Sequence, residues 1–389
     1  MQAQAHHPHQ WLRAGNQIFP ALLNAIAAAQ QSICLEIYIF TPGPLGDRFR
    51  MALVTAAERG VLVRVLLDAV GSMSLPAGYW EPLHNAGGEV RQFNPINLNR
   101  LWIRNHRKLL VCDRRVAFVG GFNIAPEYEG DGVKHGWCDV GLKLSGPLVA
   151  PLADSFDDLF ERADFHHKHF MRLRRTGNKK RVGRANEQIL LIGPGRGASP
   201  LKYALKADLA QAGRVQIMMA YFLPPRQFRR DLRRVARRGG QVQLILAGRT
   251  DVPLSKLATQ SLYRRFLRGK IEINEYQPQI LHAKLIIVDD VVYVGSSNLD
   301  PRSMHINYEL MLRFESSALA AEAREIFAES MAQSRRVTAG EWLKANTFWN
   351  RLKRRWAHFL LTKIDPYLAR RQWRALPKLR GFSGRKSAG

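Results

Sequence analysis

The stretch His106-Arg107-Lys108-Leu109-Leu110-Val111-Cys112-Asp113 decides the fold, because the chain repeats it 176 residues later as His282-Ala283-Lys284-Leu285-Ile286-Ile287-Val288-Asp289. Both copies read H-x-K-x4-D. Each is followed by a short apolar run and a small-residue turn ending in asparagine: Gly120-Gly121-Phe122-Asn123 in the first copy, Gly295-Ser296-Ser297-Asn298 in the second. Upstream, ICLEIYIF at residues 33–40 resembles VQIMMAYF at 215–222, and the run from Arg59 to Asp68 resembles that from Arg238 to Leu246. Self-similarity at one offset marks a duplicated unit. A single H-x-K is a common accident on the solvent face of a strand, but two copies in matched surroundings imply two homologous halves sharing one chemistry.

Each half alternates β-rich apolar runs with helical patterns. In the first, strands are expected at 33–40, 61–67, 108–112, 116–119 and 140–144, with helices at 46–58 and 147–162. In the second, strands are expected at 215–221, 242–246, 271–274, 283–288, 291–294 and 308–314, with helices at 226–238, 255–267 and 318–332. The class is α/β with covered sheets. Alternate residues of a strand share a face, so His106 and Lys108 should point one way, as should His282 and Lys284. Residues 166–184 hold eight Lys and Arg and no acid, and read as a basic linker between a first domain at 1–165 and a second at 185–335.

The composition narrows the function. The 389 residues are 46% hydrophobic and 23% charged, which is ordinary for globular domains and excludes disordered or fibrous classes. Charge is the unusual property: 59 Lys and Arg against 32 Asp and Glu give +27, a surface that seeks polyanions such as nucleic acid or an anionic membrane. Three cysteines make neither a disulfide framework nor a zinc cluster, which suits a reducing compartment. The longest uncharged run, 14–35, is broken by Asn16, Gln17, Asn24, Gln30, Gln31 and Ser32, and reads as an amphipathic helix leading into a strand. With no signal-peptide pattern at the N-terminus, membrane contact is expected to be peripheral, from the cytoplasmic side.

Two basic segments bear on that contact. Seven arginines between Arg226 and Arg238, Arg230 and Arg234 among them, lie at helical spacing opposite Phe228, Leu232 and Val235. Residues 336–389, beyond the repeat, form a basic aromatic tail: from Gly340 onward it holds thirteen Lys and Arg against Glu341 and Asp365, and Trp342, Trp349 and Trp356 recur every seven residues. A basic helix with an aromatic stripe suits an anionic bilayer surface. The competing reading is a helix packed on the core. The histidine clusters 6, 7, 9 and 166, 167, 169 have no cysteine or carboxylate at ligand spacing, so neither a metal nor another cofactor is expected.

At these residues the sequence resembles the phospholipase D superfamily, defined by paired H-x-K-D motifs, over about residues 10–335. Within it the chain is most similar to bacterial cardiolipin synthases of the type without N-terminal membrane spans. That subgroup is suggested by Arg104-Asn105-His106, Tyr221-Phe222-Leu223-Pro224, and Gly295 to Ser303 followed by Asn307-Tyr308-Glu309. Gly121 departs from the serine often found there, and residues 126–136 lengthen the first half. The resemblance implies two α/β sandwich halves packed face to face around one active site.

It also implies the chemistry. The catalytic set is the six motif residues His106, Lys108, Asp113, His282, Lys284 and Asp289, with His106 as nucleophile and His282 as acid, and near-symmetry leaves the reverse open. The two lysines with Asn123, Ser296 and Asn298 would hold the phosphoryl oxygens. A nucleophilic imidazole needs an orienting carboxylate, and acidic residues at the places of Asp139 and Glu309 serve that purpose in the family. Asp113 and Asp289, at the far end of a strand, are expected to be structural. The leading function is transfer of a phosphatidyl group between two phosphatidylglycerols, with phosphatidylethanolamine or another alcohol as possible co-substrates. Hydrolysis by the same route is the first alternative, and a nuclease of the superfamily is the second. Nucleic acid is disfavoured, because such nucleases often dimerise a single motif copy. A non-catalytic membrane scaffold would have no need of four His and Lys residues in register. Oligomeric state is not legible.

Overall fold

A computed structural model describes residues 8–95, 103–163, 179–194, 198–345 and 347–364. His6, His7, the 166–169 cluster, most of the expected linker and the tail beyond 364 lie outside the described residues.

Seven strands form the first sheet: β1 (His9–Arg13), β2 (Ser32–Ile37), β3 (Leu62–Asp68), β4 (Glu89–Phe93), β5 (Leu109–Cys112), β6 (Val116–Gly120) and β7 (Val140–Ser145), in the order β1-β7-β6-β5-β2-β3-β4. The second sheet has β8 (Lys180–Gly183), β9 (Glu187–Ile192), β10 (Arg214–Met219), β11 (Gln241–Arg249), β12 (Glu272–Ile280), β13 (Lys284–Val288), β14 (Val291–Gly295), β15 (Glu309–Glu315) and β16 (Ser334–Arg336). Its order is β16-β12-β11-β10-β13-β14-β15-β9-β8. Without the edge strands β8 and β16, the two orders are the same. In each half three strands run parallel and the motif hairpin returns antiparallel beside the first of them.

The motif runs are apolar on both faces because both faces are covered. Leu109, Val111, Leu285 and Ile287 enter a core shared by the two sheets, while Leu110, Cys112, Ile286 and Val288 face each half's own helices. The sheets therefore pack face to face. The helices Val149–Phe160 and Ser317–Ala332 close the shared core, the first through Leu152 and Phe156, the second through Leu319 and Ala323.

Several expectations need correction. Residues 180–183 belong to β8, so the linker is shorter than its charge run. Strands β1, β4 and β9 were not foreseen; they lie outside the quoted repeats. The helix expected over 255–267 is two, Pro253–Gln260 and Tyr263–Arg268. The tail is also two helices, Ala339–Ala345 and Phe348–Phe359, the second capped by Thr347, so the three tryptophans do not share one face. Residues 14–35 do form a helix, Ala14–Ala28, leading into β2, and among the described residues no helix is long and apolar enough to cross a membrane.

Candidate active site

Both histidines stand just before their motif strands, at the carboxyl ends of the parallel strands, where open α/β sheets bind ligands. His106 lies ahead of β5 rather than within it. Its N–H donates to the Tyr308 carbonyl at 2.9 Å, and the Tyr308 N–H donates back to Arg104. The second half mirrors this: the His282 N–H donates to Cys138, and the Cys138 N–H to Ile280. Each motif is thus laced to the segment entering the last strand of the other half.

That lacing brings each carboxylate to the opposite histidine. His106 Nδ1 is 3.0 Å from Glu309 Oε2, and His282 Nδ1 is 2.7 Å from Asp139 Oδ2. Asp139 and Glu309 hold equivalent register positions, two residues before the partners of Gly120 and Gly295. The resemblance singled out both carboxylates; only the fold reveals the exchange.

Burial controls the charges. It lowers His106, against the pull of Glu309, and lowers His282 to about 3, with the nearby Lys284 charge adding to the effect. Burial raises Asp139, but His282 and Lys284 outweigh it and hold the carboxyl below its usual range. The pairs are therefore neutral imidazoles donating Nδ1–H to carboxylates, which leaves Nε2 as a base. Lys108 is fully buried and pushed well below its ordinary value, and Lys284 is pushed to about 8, both chiefly by desolvation. An arriving phosphodiester would favour the charged form of both lysines.

A cavity of about 710 Å³ opens over both histidines, with Asn123, Asn298, Arg104 and Arg302 on its polar side. Asn123 and Asn298 line this space, each accepting a backbone N–H through its side-chain oxygen, from Ile39 at 3.1 Å and from Tyr221 at 3.4 Å. Ser296 does not line it: its hydroxyl donates to Glu309 Oε2 at 2.5 Å and accepts from the Leu310 N–H. Ser296 touches the orienting carboxylate rather than the space where it was expected to hold phosphoryl oxygens, and the fully buried Lys108 and Lys284 likewise stand behind the lining.

Asp113 and Asp289 are not in the site, which corrects their inclusion in the catalytic set. Both are turn residues of the motif hairpins, with φ of 53° and 47°. The Asp113 carboxylate accepts the N–H groups of Gln30, Gln31 and Ser32, and Asp289 those of Gly213 and Arg214. Their polar ends bind the sheet's far edge, as expected for structural residues.

The surface assignments divide. Arg230 and Arg234 are exposed on the helix Arg226–Arg237, Arg234 with Asp231 as its neighbour at 3.2 Å. Trp349 and Trp356 are 68% and 59% exposed. Trp342 is only 7% exposed, packed against Tyr263 with Arg354 over its ring, so it belongs to the core and not to a membrane face.

Sequence reasoning missed other groups here. The lengthened segment 126–136 was noticed, but not that it carries Tyr128 to His282, 3.3 Å from Nε2, with Trp137 stacked obliquely on the same ring. Tyr38 meets His106 edge-on and lies under Lys108. Glu36 and Asp68, buried in β2 and β3, anchor the strap before β5: Glu36 pairs with Arg107 at 3.0 Å and accepts from Asn105, while Asp68 binds Arg104 and the Asn105 N–H. A lone acid inside an apolar strand run was the available signal.

Comparison with known proteins agrees with this architecture. The family described as "Cardiolipin synthase, PLD-like domain" matches residues 22–131 and 205–331. Cardiolipin synthase B of Salmonella typhi is 32% identical over 90% of this chain and 87% of its own length. The major cardiolipin synthase ClsA of Bacillus subtilis is 33% identical over 87% of this chain and 72% of its own. Among solved structures, phosphatidylserine synthase of Haemophilus influenzae Rd KW20 superposes with a TM-score of 0.74 over 94% of this chain and 96% of its own, and at 16% identity that likeness speaks for the fold. Paired motifs, duplicated sheets and these relatives together place the chain in the cardiolipin synthase family of phospholipase D-like enzymes.

Proposed function

We propose that this enzyme forms cardiolipin by transferring a phosphatidyl group from one phosphatidylglycerol to another through a phosphatidyl-His106 intermediate. One observation carries the reading: two neutral histidines from opposite halves face one cavity, each oriented by a carboxylate of the other half. His106 Nε2 attacks phosphorus as the bond to the glycerol oxygen breaks. His282, protonated once the phosphate is bound, gives its proton to that oxygen and glycerol leaves. The second lipid's hydroxyl then loses its proton to His282 and attacks phosphorus, the P–N bond breaks, and His106 is neutral again. Lys108, Lys284, Asn123 and Asn298 hold the equatorial oxygens, a preorganised clamp inside a low-dielectric site. His106 takes the attacking role because its side chain is the more accessible, 13% exposed against 6% for His282.

The same reading assigns the surroundings. Residues 1–165 and 180–345 act as the two catalytic halves, and the segment from 348 as a membrane-associating tail. Trp349, Trp356, Arg230 and Arg234 meet an anionic bilayer from its cytoplasmic face, with the protein peripheral to it. Phosphatidylethanolamine can stand in as the donor, with ethanolamine leaving in place of glycerol, and another alcohol as the acceptor wherever its hydroxyl reaches His282.

The test is incubation of the purified protein with phosphatidylglycerol vesicles and a chelator, with products identified by mass spectrometry. Cardiolipin and free glycerol are expected, and His106→Ala should lower their formation by ~10³-fold or more. Phosphatidic acid as the sole product would replace transfer by hydrolysis. Cardiolipin formed at an undiminished rate by the variant would exclude the histidine intermediate.

A further inference from the structure

The catalytic cavity has two unlike sides. Beside its polar groups it is lined by Leu223, Val252, Leu254, Leu360, Leu361 and Ile364. Three of these come from one π-helical turn, Leu360–Ile364, which directly continues the helix Phe348–Phe359. Nothing in phosphoryl transfer requires an apolar wall on that side.

The wall is continuous with an uncovered surface. The helix Phe348–Phe359 is fixed to the second half through buried Ala357 and Arg354, and His358 Nδ1 lies 3.2 Å from the Ser261 hydroxyl. Its other side leaves Phe348, Trp349, Leu352, Trp356 and Phe359 between 46% and 68% exposed, interleaved with exposed Arg351, Lys353 and Arg355. Val252 and Leu254, which also line the cavity, are each 38% exposed. Large apolar side chains ringed by cations at the rim of a cavity suit acyl chains attached to anionic headgroups. A volume near 710 Å³ is that of a drug-sized ligand, so two long chains cannot fit inside and must run out across the rim.

We propose that Leu360, Leu361 and Ile364, with Val252, Leu254 and Leu223, form the binding site for the acyl chains of the phosphatidyl donor. The chains enter from the bilayer along the helix Phe348–Phe359, so the element that docks on the membrane also builds the wall of the active site. This rests on the phosphatidyl-transfer reading above and adds to it where the donor's chains lie.

The direct test uses the full chain with vesicles containing phosphatidylglycerol that carries a photoactivatable diazirine midway along one acyl chain. Illumination followed by peptide mapping reads chain position without turnover, so it stands even if the transfer reading fails. Crosslinks concentrated in 360–364 and 252–254 are expected; crosslinks confined to other segments would overturn the site. Ile364→Phe supplies a second readout that needs no loss of fold, because it narrows the space while keeping it apolar. It should lower turnover of eighteen-carbon donors relative to eight-carbon donors by about tenfold, the size of effect a changed apolar pocket gives. An unchanged ratio, in a protein whose wild type turns over both donors, would equally reject the wall as the acyl site.

Discussion

The two histidines rest on beds of opposite character. Register makes Glu36, opposite Leu109, equivalent to Met218, opposite Leu285, and by the same alignment Asp68 matches Ala247. Counting from each histidine, Arg104, Asn105 and Arg107 correspond to Ile280, Leu281 and Ala283. One half therefore holds its histidine strap with a buried ionic network, and the other holds the same backbone with Met218, Ala247, Leu281 and Ala283 in the shared apolar core. The orienting carboxylates differ too. Glu309 is gripped by Ser296, whereas a Cβ on Gly121, at the equivalent place, would lie 2.5 Å from Asp139 Oδ1 and leave no room for one. The duplicated backbone fixes where the histidines stand, while the residues that support the paired His, Lys and Asn have diverged between the halves.

The largest break should come at the carboxylates. Amide replacement turns the Nδ1 acceptor into a group that can also donate, and in related triads such a change costs ~10⁴-fold in rate. Asp139→Asn should approach that loss, because Asp139 also offsets the charge of Lys284. Glu309→Gln should lose about tenfold less, since Ser296 still holds the amide in place. Steady-state kcat on phosphatidylglycerol vesicles decides it, and equal losses would mean the serine grip does not matter.

The duplication and its motif were legible because the chemistry repeats short, unusual strings. Strand β13 could be read from Leu285-Ile286-Ile287-Val288, a run too apolar for anything but a strand covered on both faces. The crossing of Asp139 and Glu309 was not legible, because spacing along one chain says nothing about which half a side chain faces. Trp342 was misread for a similar reason: a seven-residue spacing predicts one face only within one helix, and here one helix ends at Ala345 and another starts at Phe348. Glu36 and Asp68 carried a usable signal, an acid within an apolar run, but their partners lie 69 to 71 and 36 to 37 residues away, where a linear reading does not reach.

The ionic bed can be tested by replacing it with its counterpart. Glu36→Ala leaves Arg107 buried without its carboxylate, and removing one partner of a buried pair costs about 3–5 kcal/mol. The triple change Glu36→Met, Asn105→Leu, Arg107→Ala copies the second half's bed, and apolar replacement of a whole buried pair is often neutral. Urea unfolding should show a large loss for the single variant and recovery of most of it in the triple. A triple variant no more stable than the single would show that the first half's strap depends on charge itself.

The smallest effect concerns Ser296. Glu309 Oε2 divides itself between the serine hydroxyl at 2.5 Å and His106 Nδ1 at 3.0 Å. Removing the hydroxyl in Ser296→Ala gives the carboxylate wholly to His106, which strengthens its hold on the imidazolium and raises a pKa that burial keeps low. The nucleophile works only when neutral, so a higher His106 pKa moves the acidic limb of kcat/KM to higher pH. A hydrogen bond contributing about 1 kcal/mol corresponds to a shift of somewhat less than one pH unit. The rate on the pH plateau should be nearly unchanged, while the rate on the acidic limb should drop severalfold. An acidic limb that stays in place, or moves to lower pH, would show that the serine fixes the position of Glu309 without tuning the histidine, and the two carboxylates would then differ in support but not in electrostatics.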